Sequence, residues 1–179
     1  MAVMGGWNRQ WIFRISFVVL VGACIVPLVV RSLLQQDGPS IQVEMADGSV
    51  RAITLFQMKE LPFLTRDGSY QNQYGNWRDH GTYSGVLLSD LVQDHDYSSL
   101  EAVAEDGYRV TIARSRVEDS DYPMVLAFRM DGVDVPDWSD GFRIAVLPED
   151  GGVSNVDYEA ESAGSYWVSH VIRLILQSP

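Results

Sequence analysis

The chain has 179 residues, 24 acidic side chains against 13 basic ones, a formal charge of −11 and a single cysteine. That balance argues against nucleic acid as a partner, and one cysteine, Cys24, excludes a disulfide framework or a thiolate metal cage. With Lys59 as the sole lysine and no G-x-G-x-x-G, G-x-S-x-G or H-E-x-x-H pattern, there is little material for a phosphate loop, a hydrolase elbow or a zinc-protease helix.

The charges are unevenly placed. Residues 1–36 hold Arg9, Arg14 and Arg31 and no acid, and residues 15–30 are apolar except for Ser16. As a helix, that run covers about 24 Å, and residues 11–34 suffice to cross a hydrocarbon core of ~30 Å. Arg14 and Arg31 would then reach the two headgroup layers, with Trp7 and Trp11 at the first interface. Arginines before the run and acids after it predict an N-terminus inside and the remainder on the extracytoplasmic side of a cytoplasmic membrane. Two other readings compete. Cleavage after the apolar run would have to use the poor site around Val30 and Arg31, and lipidation at Cys24 would need polar residues where Ile25, Val26 and Pro27 stand. The expected division is a cytoplasmic segment 1–10, an anchor 11–34, a linker 35–40 and one domain 41–179, with all the acids and ten basic residues following residue 36, near −14.

Along the domain, seven Asp-Gly pairs, at Asp37, Asp47, Asp67, Asp106, Asp131, Asp140 and Asp150, supply turn residues. Hairpins are expected over 41–45 with 50–54, 103–105 with 108–113, and 124–130 with 133–135. Thr54 caps a short helix with Leu55, Met58 and Leu61 inward and Pro62 as its stop; Ser84 caps a second with Leu87, Leu88 and Leu91 inward. Residues 142–147 form a strand with Phe142, Ile144 and Val146 on one face. A closing strand, 166–176, places Tyr166, Val168, His170, Ile172, Leu174 and Leu176 on its apolar face. The class is α+β, dominated by strands.

Five segments in this order resemble the oxidoreductase molybdopterin-binding domain, the sulfite-oxidase-like fold. They are residues 54–62 with Thr54, Leu55, Leu61 and Pro62; 83–91 with Ser84, Gly85, Leu88 and Leu91; 103–108 ending in Asp106, Gly107 and Tyr108; 125–136 with Leu126, Ala127, Asp131, Gly132 and Pro136; and 142–148 with Arg143 and Pro148. The resemblance implies that fold over nearly the whole domain. In catalytic members of the family a cysteine thiolate ligates molybdenum just before the second segment, and basic residues grip the pterin phosphate. Here the corresponding stretch, 71–80, has no cysteine, and amide or phenol groups do not replace a soft thiolate. The resemblance therefore implies the fold without the family's chemistry; a molybdopterin held through its dithiolene alone is the minority alternative.

Within 72–80, Asn72, Tyr74, Trp77, Arg78 and His80 are the candidate pocket residues, suited to a small anion or planar ligand; the competing reading is an ordered surface loop that satisfies its own backbone. Asp79-His80 and Asp94-His95-Asp96 pair a carboxylate with an imidazole, without the converging set a metal requires, and are expected as solvated loop residues. His170 is expected as a hydrogen-bonded core histidine. Asp131, Asp134, Asp137 and Asp140 lack calcium-loop spacing, Ser84 and Ser169 lack triad partners, and Trp138, Trp167 and Tyr166 are expected as core or interface aromatics in preference to an electron relay. Catalytic and metal-ligating residues are expected to be none. The functional expectation is a non-catalytic, membrane-anchored accessory or scaffolding subunit with a protein partner in a membrane complex, plausibly a redox one; the alternatives are a ligand-binding sensor or a molybdopterin-dependent redox protein.

Overall fold

A computed structural model describes residues 38–93 and 95–179. The expected anchor, 11–34, the segment before it and linker residues 35–37 lie outside the described residues. Among the described residues no helix is long and apolar enough to cross a membrane.

Residues from Pro39 onward form a compact unit of two five-stranded sheets. The strands are β1 (Ser40–Glu44), β2 (Val50–Thr54), β3 (Leu64–Gln71), β4 (Trp77–Leu87), β5 (Ser99–Ala104), β6 (Arg109–Ala113), β7 (Met124–Met130), β8 (Val133–Asp134), β9 (Arg143–Val146) and β10 (Val171–Gln177). Short helices α1 (Leu55–Glu60), α2 (Leu88–Val92) and α3 (Arg114–Val117), and a 3-10 turn at Ala163–Tyr166, connect them. The first sheet runs β2-β1-β10-β5-β6; the second runs β3-β4-β7-β8, with β9 also on β7. The β1–β10 pair is parallel and the other strand pairs are antiparallel.

The three expected hairpins are present, and each turns on an Asp-Gly pair whose glycine has positive φ: Gly48, Gly107 and Gly132. In β1, Ile41 and Val43 alternate with more exposed neighbours, the mark of a strand buried on one face. By contrast, β7 from Met124 to Phe128 and all of β9 are buried on both faces: the strand expected over 142–147 buries Phe142, Ile144 and Val146, and Arg143 and Ala145 are as enclosed. One apolar core draws on both sheets, with Leu100, Leu126, Phe128, Ile144, Leu147 and Leu174 fully enclosed.

Helix α1 starts as expected on a capping box: Gln57 N–H donates to Thr54 Oγ1 at 3.2 Å, and Thr54 N–H donates to Gln57 Oε1 at 2.9 Å. Of its expected inward residues only Met58 is buried. Leu55 is half-buried and Leu61, beyond the helix end, is exposed, because a helix of under two turns presents one residue squarely to the core.

Ser84 does not cap a helix. It lies within β4, its hydroxyl 2.9 Å from Thr65 Oγ1, and α2 begins four residues later with Leu88, Leu91 and Val92 inward. The stretch 64–87 is a long β3–β4 hairpin. The closing strand is also shorter than expected. A bulge between Val171 and Arg173 re-phases it, so Val171 is buried while Ile172 is 45% exposed. His170 is exposed at φ 53°, which corrects its reading as a core histidine.

Candidate functional site

The candidate residues of 72–80 lie in and beside an exposed hairpin turn. Asn72 organises the hairpin turn: its Oδ1 accepts the Tyr74 and Asn76 N–H groups at 3.0 and 3.1 Å, its carbonyl accepts Gly75 N–H at 2.8 Å, and Asn155 Nδ2 donates to that carbonyl from outside. Tyr74, Trp77, Arg78 and His80 are exposed, with the Trp77 and His80 rings 6.5 Å apart. The competing reading, an ordered loop that satisfies its own backbone, describes this turn.

One residue of the stretch faces inward. Asp79, held at φ 53°, accepts a hydrogen bond from Arg143 Nη2; Arg143 Nη1 donates to Asp140 at 2.6 Å. The guanidinium is 95% buried, whereas the two carboxylates remain about a third exposed. Arg143 stands on β9 and Asp79 on β4, so the contact spans β7, which lies between them. This corrects the reading of Asp79 as a solvated loop acid, while His80 beside it is solvated as expected.

Aromatic rings enclose the cluster. The Arg143 guanidinium lies 5.5 Å from the centre of the Trp167 ring, which meets Tyr70 at 5.1 Å and Tyr83 edge-on at 5.3 Å. Tyr83 O–H donates to the Asp79 carbonyl at 2.7 Å, and Tyr83 also meets Trp138 at 5.9 Å. Arg143 Nε and Trp167 Nε1 are buried without an acceptor. Burial raises the phenol pKa values of Tyr70 and Tyr83, Tyr83 very strongly, and the neighbouring carboxylates add to the shift. Both phenols are therefore donors at neutral pH and not bases. For Arg143 burial disfavours the cation, but Asp79 and Tyr83 outweigh it, so the guanidinium stays charged. With two carboxylates on one guanidinium the cluster carries net negative charge, and a further anion is repelled. Chemically this is a clamp between strands.

The remaining candidates disperse. Asp131 accepts Thr82 N–H at 2.8 Å, and Asp134 is shared by Arg129 and Lys59. Among the described residues no group of three or more His, Cys, Asp or Glu side chains could hold a metal. Trp138 and Trp167 are buried as expected, and Tyr166 is half-buried against Tyr158. A signal for Arg143 was present in the sequence: a lone cation inside an apolar strand needs a buried partner, and Asp140 lies three residues before it. Nothing local marked Asp79 as the other partner.

No family model matches the sequence, and no curated protein is similar to it. The fold is similar to that of a chain in the crystal structure of the sulfane dehydrogenase SoxCD from Paracoccus pantotrophus, with a TM-score of 0.57 and 15% sequence identity. The match covers 79% of this chain and 38% of that one, so this chain spans well under half of its structural neighbour. At that identity the likeness is one of fold, and it supports the sulfite-oxidase-like architecture implied by the order of segments.

Proposed function

We propose that this chain is a non-catalytic accessory domain, anchored in a membrane by residues 11–34 with its acidic domain on the extracytoplasmic side, that docks on a larger membrane assembly of the redox type. The observation that carries the reading is the closure of Arg143 by Asp79 and Asp140 under Trp167. The most buried cation of the domain is committed through both Nη groups to Asp79 and Asp140, and these two carboxylates already outnumber its single charge, which disfavours an anionic substrate there.

A molybdopterin does not fit the donor set. Its metal would lack a protein thiolate, since Cys24 stands in the apolar segment. Its phosphate would need cations, and among the described residues nine of the ten basic side chains already bond to the domain's own oxygens. Arg51 and Arg116 donate to carbonyls, and Lys59, Arg66, Arg109, Arg114, Arg129, Arg143 and Arg173 pair with carboxylates. Only Arg78 has no such bond. The exposed Tyr74, Trp77 and His80 around it give a ligand no enclosure, which disfavours the sensor reading.

The test is native purification of the full chain in a mild neutral detergent, with co-purifying chains identified and molybdenum and tungsten measured on the same sample. The expected result is a stoichiometric protein partner without stoichiometric metal. A solitary chain, or one carrying an equivalent of either metal, would overturn the reading.

A further inference from the structure

We infer that the open edge of β2 receives an extended segment of a partner protein, added as a sixth strand and carrying alternating apolar and basic side chains. This deepens the accessory reading and rests on it.

Among the described residues β2 pairs with β1 alone, and Val50, Arg51 and Ala52 are all exposed. Two bonds fix which backbone groups face outward. Met45 N–H donates to the Ser49 carbonyl at 2.8 Å and Leu55 N–H to the Pro39 carbonyl at 2.8 Å, so the odd-numbered pairs of this ladder are its hydrogen-bonded pairs. Antiparallel pairing alternates. The Ala52↔Gln42 and Val50↔Glu44 pairs are therefore non-bonded, and the N–H and C=O groups of Val50 and Ala52 point to the open side.

The edges of β3 and β6 are partly covered. On β3, Gln71 N–H donates to the Val153 carbonyl and Val153 N–H to the Ser69 carbonyl. Beside β6 the 3-10 turn packs, with Tyr108 O–H donating to the Ser165 carbonyl at 3.3 Å. Exposed edges of this kind are templates for strand addition.

A groove of about 290 Å³ runs along the same edge. Ile53, Leu61 and Leu91 supply its apolar wall, and Arg51, Gln57 and Asp90 its polar one. Arg51 is tied to the Leu91 carbonyl at 2.7 Å, which leaves Asp90 as the groove's unpaired charge among these residues. Arg51 and Ile53 share the face of β2 that looks into the groove, so every second side chain of an added strand enters it. An apolar side chain meets Ile53, Leu61 and Leu91, and a basic one meets Asp90. Charge selects the occupant. Two copies of a domain near −14 repel each other across an edge, while a basic segment is attracted.

The test uses the full chain in neutral detergent and three synthetic nonapeptides: alternating Val/Lys, alternating Val/Glu and alternating Ser/Lys. The Val/Lys peptide is expected to bind and to protect the Val50 and Ala52 amides from hydrogen exchange, with the other two peptides weaker by about tenfold or more. Ala52→Pro removes an outward N–H without touching the β1–β2 ladder and is expected to weaken binding about tenfold, whereas Thr111→Pro, the matching outward position on β6, leaves it unchanged. Leu61→Lys, at an exposed site in the groove, removes the apolar contact and repels the basic peptide, and is expected to reproduce the loss if Ala52→Pro folds poorly. The inference is overturned by absence of Val/Lys binding or of amide protection, by equal binding of Ser/Lys, or by a dimer that Ala52→Pro dissolves, which would make a second copy the occupant. Any of these leaves the accessory reading standing. Stoichiometric metal on the purified chain would sink that reading while leaving the peptide result intact.

Discussion

Arg143 on β9 reaches past β7 to donate to Asp79 on β4, and the two residues are 64 positions apart in the chain. A desolvated guanidinium is tolerable only with its countercharges in place, so the contact ties the register of one side of the second sheet to the other.

Removing Arg143 leaves two facing carboxylates and an emptied space under Trp167, so Arg143→Ala is expected to cost about 3 kcal/mol. Asp79→Asn keeps a residue that accepts positive φ, and Asp140 still neutralises the guanidinium, so about 1 kcal/mol is expected there. Urea unfolding followed by tryptophan fluorescence, with Trp138 and Trp167 as core reporters, measures both. Equal losses in the two variants would mean that the pair, and not the desolvated cation, dominates.

Gly85 sits at the bulge of β4 against β7, where an added Cβ would lie 2.5 Å from the Leu126 carbonyl oxygen and 2.6 Å from Ala127 Cα. Both are backbone atoms of a central strand and cannot swing away. Gly85→Ala is expected to cost more than about 2 kcal/mol, while Gly38→Ala, which meets nothing within 4 Å, is expected to be neutral. A thermal melt of Gly85→Ala that overlays the parent would refute the close approach.

What could be read from the sequence followed from local chemistry. The β1–β2, β5–β6 and β7–β8 hairpins were legible because Asp-Gly pairs sit between apolar strands. The β3–β4 hairpin was not, because the first half of β4, from Trp77 to Thr82, is polar and shows no alternation. Leu87, Leu88 and Leu91 then fit a helix begun at Ser84 as well as one begun after Leu87. The closing strand was read as starting too early, because Tyr166 ends a 3-10 turn and His170 takes φ 53°, and the bulge between Val171 and Arg173 then turns Ile172 outward, since one extra residue inverts a period-two pattern. Within the site, Arg143 was visible as an anomaly but its partner Asp79 was not, since pairing across β7 has no local signature.

Thr54 and Gln57 satisfy each other's backbone N–H groups at the start of α1, a helix too short to persist on propensity. Thr54→Ala is expected to cost about 1 kcal/mol. Amide exchange at Gln57 reads the same loss locally, and faster exchange there without a global change would still identify the cap.

Asp134 ends β8 between two cations, and its carboxyl is lowered from 3.8 to about 2, chiefly by the hydrogen bond from Arg129; burial opposes the shift next, and the Lys59 contact adds to the lowering. A carboxylate with a depressed folded-state pKa binds fewer protons folded than unfolded. Its stabilisation is therefore fully present above about pH 4 and is lost as pH falls toward 2. Because the carboxylate is 29% exposed, solvent screening reduces the contribution to about 1 kcal/mol. Asp134→Asn is expected to be less stable than the parent by that amount near neutrality, with the two curves converging between pH 4 and 2. Parallel curves across that interval would show that the ion pair adds no pH-dependent stability.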